Sequence, residues 1–348
     1  MKVDIDKYIL SEIYNLKFKV YYPLFKFVSK KEFLSITNKM ELDKNVFFPI
    51  PIYLSLPNIK KSTKIIKIYY KKKYICNLIV EKIYKFSKHT KLKLGEKLFS
   101  TKDLNHPGFK KFLEDGNNFI DCKINNFKFH KNLINFYKPS NIKQYLKKNK
   151  ITSLVGFHTR NVPHRSHEWI HRYGISCCKN LLIQPLIGQY RKGEYKEDII
   201  IKSNKYLVNN IYKNNNVFFS IFNSFPRYAG PREACFHAIV RKNYGCTHFL
   251  IGRDHAGVSN YYNKYSSQKL SKSLESKLGI KIITFKEPVM CTNCNNIFSN
   301  KCNKCNSTKN IKISGSIIRT KIINNEKISS KLMRKSLSKL LNKDSIIN

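Results

Sequence analysis

The sequence predicts an α/β protein in three successive parts: a β-rich N-terminal domain (1–150), a central domain built on a parallel sheet (151–285), and a small C-terminal region (286–348). Three observations carry this reading. Up to about residue 150, short apolar runs alternate with polar turns. From there, apolar strands alternate with helix-patterned segments, the pattern of β-α-β units. Four cysteines then cluster between 291 and 305.

The elements follow in order. In the first part the run 46–54 is strand-like, residues 103–108 form a loop by their Pro-Gly content, and the Lys- and Asn-rich stretch 140–150 is a boundary. In the second, 153–157 is a short buried strand and a helix runs from His164 to about Cys178. Strands follow at 181–186 and 217–222. Residues 231–244 form a helix, with Pro231 suited to the first turn and Gly245 to the stop, and 247–251 is a further strand. Repeated β-α-β order implies that ligands sit at the carboxyl ends of the strands. In the third part the cysteine cluster is followed by a Ser-Gly turn and a basic helical tail from about Ser329. No internal repeat is visible.

With 348 residues, 42% hydrophobic and 13% aromatic, the chain can bury two or three cores. The formal charge of +44 suggests a polyanionic partner. Nucleic-acid binders concentrate such charge on one face, whereas lysine here is spread from Lys2 to Lys343, among Asn, Ile and Tyr, as compositional drift would leave it. A nucleic-acid partner is therefore not expected, although the charge draws small anions towards the protein. No secretory signal and no run of about 18 apolar residues occurs, so neither membrane nor export is expected and the cytoplasm is. Ten cysteines in that setting point to reduced thiols, metal ligands or packing.

Two segments carry the chemistry of an anion site. His158, Thr159, Arg160 and Asn161 follow a strand, and His164 and His167 open a helix. There, free backbone N–H groups and the helix dipole favour a bound anion. Arg160 offers a planar fork of donors to a tetrahedral oxyanion. The histidines, three apart, share one helical face; His171 continues it and is expected on the helix surface. The plainer alternative is a capped, salt-bridged helix start. The second segment, Gly252-Arg253-Asp254-His255-Ala256-Gly257, follows another strand, and Arg227 and Arg232 flank a Gly230-Pro231 turn before it. Two polar loops at one sheet edge define a crevice suited to a nucleotide.

Cys291-x₂-Cys294-x₇-Cys302-x₂-Cys305 has the spacing of a tetrahedral zinc site closed by four thiolates, structural in role because no position is left open. The other six cysteines, Cys177 included, are expected in the core. No Gly-x₄-Gly-Lys-Ser/Thr segment occurs, so no fused P-loop kinase is expected.

These segments together resemble the ATP sulfurylase family. The resemblance lies in 227–233, 241–249 and 252–257, and in Thr159-Arg160-Asn161 with His164 and His167. It extends to Tyr22-Pro23-Leu24, Pro49-Ile50-Pro51-Ile52, His106-Pro107-Gly108 and Ile313-Ser314-Gly315. It implies a PUA-like N-terminal domain, a Rossmann-like nucleotidyltransferase domain, and adenylyl transfer between ATP and sulfate with Mg²⁺ on the nucleotide. It further implies that His158 and Arg160, with the backbone of Ala256, bind sulfate, and that Thr159, Arg160 and Asn161 form the catalytic loop. His164 and His167 would contact the ATP phosphates, and Gly252, Arg253, Asp254 and His255 would hold the nucleotide. Dimers are common among such proteins, so a homodimer is a possible assembly. Two departures stand out: the family usually has Gln where this chain has His158, and a histidine as fourth metal ligand where it has Cys305. The rival expectation is a zinc-bearing nucleic-acid-binding protein on an inactive enzyme scaffold.

Overall fold

The structure is a computed structural model that describes residues 1–43, 45–188, 192–213 and 216–347. The N-terminal stretch contains β1 (Lys2–Asp4), α1 (Lys7–Lys17), α2 (Lys30–Lys39), β2 (Ile65–Tyr70), β3 (Lys73–Tyr84), α3 (Lys88–Phe99), α4 (Pro107–Glu114), β4 (Phe119–Asn125) and α5 (Pro139–Lys148). Next come β5 (Val155–Thr159), α6 (Arg165–Cys178), β6 (Leu181–Ile187), α7 (Glu197–Tyr206), β7 (Val217–Phe219), β8 (Phe222–Asn223), α8 (Pro231–Asn243) and β9 (His248–Ile251). The chain ends with α9 (Ser266–Ser273), α10 (Glu275–Leu278), β10 (Lys281–Thr284), β11 (Val289–Cys291), β12 (Ile297–Phe298), β13 (Asn310–Lys312), α11 (Gly315–Ile323) and α12 (Lys335–Ser338).

These elements form two compact units that interleave along the chain: 1–143 with 226–245 and 254–280, and 144–225 with 246–253 and 281–348. In the first, β1-β2-β3-β4 make a four-stranded sheet, parallel between β1 and β2 and otherwise antiparallel. Its strands alternate in the way a one-sided sheet requires: Ile66 and Ile68 are fully buried while Ile65 and Lys67 face outwards. An aromatic core of Phe33, Phe86, Phe112 and Phe119 lies beneath, with ring centroids 5.2–5.9 Å from Phe33. α8 belongs to this unit and is buried all round, which explains its weak amphipathic pattern. Gly245, at φ +99°, stops it as its sequence position predicts.

In the second unit β10-β9-β5-β6-β7 form a sheet with every pairing parallel, and β8 extends it beside β6. β6 is buried along its whole length, the mark of a strand covered on both faces. The chain leaves β5 towards β6 on one side, while β9 and β10 lie on the other. The strand order therefore reverses between β5 and β9, and a crevice opens at the carboxyl ends of such a pair. β11, β12 and β13 form a separate antiparallel sheet that carries the cysteines.

Several local expectations are corrected. The strand expected at 217–222 is two short pieces, and the basic helical tail is only α12 with a 3₁₀ turn at Lys343–Ser345. The Ser-Gly turn starts a helix instead: Ser314 caps α11 by accepting from the Ile317 N–H at 3.3 Å. Cys177 is exposed rather than packed in the core. Among the described residues no helix is long and apolar enough to cross a membrane.

Candidate functional site

β5 delivers His158 and Thr159 to the open end of the sheet, and the chain turns through Arg160 and Asn161 before α6. Thr159 is buried, and its hydroxyl accepts from the Asn161 N–H at 3.0 Å, which closes the turn. The Asn161 amide oxygen accepts from the Arg319 guanidinium on α11 at 2.7 Å. Gly315, at the start of the same helix, lies so close that a Cβ there would stand 2.8 Å from the Asn161 amide. The Ser314-Gly315 pair thus starts a helix and leaves room for the loop. Arg160 is partly exposed, with one guanidinium nitrogen 4.0 Å from Glu194.

His164 is the N-cap of α6: its Nδ1 accepts from the His167 N–H at 3.3 Å. A nitrogen that accepts carries no proton in the neutral ring, so Nε2 is then the donor. The rings of His164 and His167 stack with centroids 3.7 Å apart. Burial drives the pKa of His164 well below its ordinary value and that of His167 down to about 3. Both are therefore neutral N–H donors at ordinary pH. The capped helix start and the anion site are compatible: one nitrogen of His164 caps and the other remains for a ligand. His171, expected on the surface, is fully buried; its Nδ1 lies 3.1 Å from the Tyr212 hydroxyl, and burial lowers its pKa strongly.

Gly252 and Arg253 follow β9 in the same unit. A Cβ at Gly252 would sit 3.1 Å from the Phe285 ring, and Arg253 pairs with Glu287 at 3.0 Å. The chain continues through Asp254 and Ala256, both with φ between +50° and +60°. Left-handed backbone at these two non-glycine residues costs on the order of 1 kcal/mol or more each, and such strain gathers at ligand loops. The Ala256 carbonyl accepts from the Gly230 N–H at 3.2 Å. The ring of His255 is held by His237 at 3.1 Å, and the far nitrogen of His237 lies 3.5 Å from Glu233. His237 and Glu233, both buried, escaped the sequence reading; their spacing of four along α8 was the available signal.

The two arginines before α8 do other work. Arg227 forks onto Glu12 at 3.0 and 3.1 Å. Arg232 donates to the Ile36, Thr37 and Pro49 carbonyls, satisfying the carboxyl end of α2. Both guanidinium groups are thus engaged within the first unit.

The four cysteine sulfurs lie within 4.8 Å of one another. Four of their separations are 3.3, 3.5, 3.6 and 3.7 Å. A tetrahedron with metal–sulfur bonds of about 2.3 Å has edges of about 3.8 Å, so the donor set fits a four-coordinate soft metal. Although burial opposes it, backbone N–H groups of Lys304 and Cys305 bring the Cys302 thiol down to about 6.

A doubly wound parallel sheet with polar residues following its strands at the switch point defines a nucleotide-binding α/β protein. Residues 135–344 match the ATP-sulfurylase family and 1–128 match a PUA-like domain. The chain belongs to the ATP-sulfurylase family. It is 32% identical over 349 residues to a sulfate adenylyltransferase of Ignicoccus hospitalis, covering 98% of this chain and 90% of that one. It is 33% identical over 337 residues to that of Pyrococcus abyssi, covering 96% and 88%. Among solved structures, a hexameric APS kinase from Thiobacillus denitrificans superposes with a TM-score of 0.73 at 15% identity, over 97% of this chain. This chain spans 62% of that one, and the likeness is one of fold.

Proposed function

We propose that the chain is a sulfate adenylyltransferase, joining sulfate to the α-phosphate of ATP with release of pyrophosphate, reversibly. The observation that supports this most is the adjacency of β5 and β9. It sets Thr159-Arg160-Asn161 and Gly252-Arg253 side by side at the carboxyl edge of one sheet, at its switch point.

In this reading a sulfate oxygen attacks the α-phosphorus in line. The bond to the α,β-bridging oxygen breaks, and its electron pair leaves with pyrophosphate. Sulfate is a weak nucleophile, so holding it in place supplies much of the rate. His158, Arg160 and the Ala256 backbone take that role, with His158 replacing the glutamine usual in the family. Thr159 and Asn161 hold the loop, while neutral His164 and His167 donate to phosphate oxygens as charge builds on the leaving group. Gly252, Arg253, Asp254 and His255 hold the nucleotide. Mg²⁺ brought with the nucleotide would be held mainly by the triphosphate and would neutralise part of its charge. A Zn²⁺ held by Cys291, Cys294, Cys302 and Cys305 is structural.

The test is pyrophosphate release from ATP and Mg²⁺ across sulfate and other oxyanions. Release that requires sulfate or a close mimic is expected. Sulfate-independent hydrolysis, or no turnover in either direction, rejects the proposal.

A further inference from the structure

The exposed side of α6 faces away from its histidines and forms one wall of a cavity of about 650 Å³, within the range of small-ligand sites. Arg165, Trp169 and Arg172 lie along this wall at helical spacing. Asn295, Asn296 and Lys304 of the cysteine-bearing segment and Lys331 of the following loop are also among the residues that line it. No Asp or Glu is among the lining residues described.

Two features separate this cavity from the general basicity of the surface. Of the 66 basic residues only ten are arginine, and two of those ten flank Trp169. Lysine is everywhere in this chain; arginine, with its planar donor fork, is not. Trp169 is also the single tryptophan of the chain, and it lines the cavity half-buried. It is not loose: its ring stacks on Tyr173 at 5.4 Å and 14°, with Phe285 at 6.4 Å. Arg165 is anchored by donating to the Ser330 carbonyl at 3.2 Å, and the Asn296 amide donates to Asn303 at 2.8 Å. The result is a fixed aromatic surface, amide groups able to read a ring edge, and four cations. Such a combination suits a phosphorylated base: the ring stacks on the indole and the phosphates meet the guanidinium and ammonium groups. A bare oxyanion would make no use of the indole.

We propose that this cavity is a second nucleotide site, distinct from the loops after β5 and β9, binding a free mononucleotide with its base on Trp169 and its phosphates among Arg172, Lys304 and Lys331. The proposal does not depend on the catalytic reading. Because Trp169 is the only indole, its fluorescence reports on the cavity directly.

The test titrates the full-length, metal-loaded chain with ADP, without sulfate or pyrophosphate, and follows tryptophan emission while equilibrium dialysis counts bound nucleotide. Wild type is expected to show saturable quenching, weakened by salt, and one more bound ADP than an Arg172→Glu/Lys331→Glu variant. Both substituted residues are exposed, so the variant should fold, and its unfolding midpoint checks this. Each lost charge-assisted contact should weaken the quenching affinity roughly tenfold, while sulfate-dependent turnover is unchanged. Equal quenching and stoichiometry in both proteins overturns the proposal. So does quenching by a short single-stranded oligonucleotide but not by ADP, which would make the surface a nucleic-acid contact.

Discussion

Arg334 grips the buried carboxylate of Glu168, donating from Nε at 2.9 Å and from Nη2 at 2.7 Å to the same oxygen. Glu168 is fully buried in the first turn of α6, one residue past His167. The pair ties the C-terminal segment to the helix start that presents both histidines. Removing one partner of a buried pair strands the other, at a cost of about 3–5 kcal/mol. Arg165, 3.6 Å from the same oxygen, offers partial cover. Arg334→Met is therefore expected to destabilise by about 3 kcal/mol, read as a lower denaturant midpoint at unchanged slope. An unchanged midpoint removes Arg334 from the stability of the helix start.

The buried histidines set a pH limit. Burial lowers the pKa of His164 and His171 well below 6.5 and that of His167 to about 3. Above 6.5 neither folded nor unfolded chain binds these protons and the groups are silent. As pH falls below 6.5 the unfolded chain takes them up and the native one does not, so stability is lost. Each such group contributes a slope of about 1.4 kcal/mol per pH unit. His171→Gln is expected to reduce the slope by one such share between pH 6 and 4. The same slope in the variant would mean that the native protein already binds that proton.

Much of this was legible in the sequence because it is local. β5, α6, β6, α8 and β9 each announce themselves by apolar runs and by stop signals such as Gly245. The loops at 158–161 and 252–257 stood out because polar residues follow buried strands directly. What could not be read is long-range. Nothing in the periodicity says that α8 packs with the N-terminal unit while β9, a few residues on, joins the parallel sheet. The partners of Arg227 and Arg232, Glu12 and the α2 carbonyls, lie about 200 positions away and leave no local signal. His171 looked exposed because a helix wheel cannot show that the histidine face, polar by composition, is covered by Phe157 and Tyr212.

The cysteine set predicts one metal ion per chain. Structural sites contribute directly to folding, so chelation is expected to loosen the β11-β12-β13 sheet first. Elemental analysis of Cys302→Ser should show the metal lost, with the unfolding midpoint lowered. Unchanged metal content would take Cys302 out of the site.

Arg160→Ala tests the loop after β5 without touching the core, since the side chain is partly exposed. Loss of a group that holds the nucleophile in line costs about a hundredfold or more in turnover. A loss of that size with the same unfolding midpoint is expected. Near-full activity would place Arg160 outside the site.

The last prediction concerns a residue that acts through another. Arg319 holds the amide of Asn161 at 2.7 Å, and the Thr159 hydroxyl holds the Asn161 backbone. The Asn204 amide on α7 also donates to the Asn161 carbonyl at 3.4 Å, so the loop is fixed from its own strand, from α7 and from α11. Arg319 is a positioning residue in this scheme: it touches Asn161 and orients it. Misplacing a reacting group by about an ångström can cost around a hundredfold in rate. Arg319→Met is therefore expected to lower kcat by one to two orders of magnitude with little change in the KM for ATP, because the nucleotide loop after β9 is untouched. Arg319→Lys, which keeps a donor of similar reach, should recover part of the loss. A purely structural role predicts something else: both variants would lose stability and the KM-against-kcat split would vanish. Wild-type kcat in Arg319→Met would show that Asn161 holds its place without Arg319, by the Thr159 turn and the Asn204 amide.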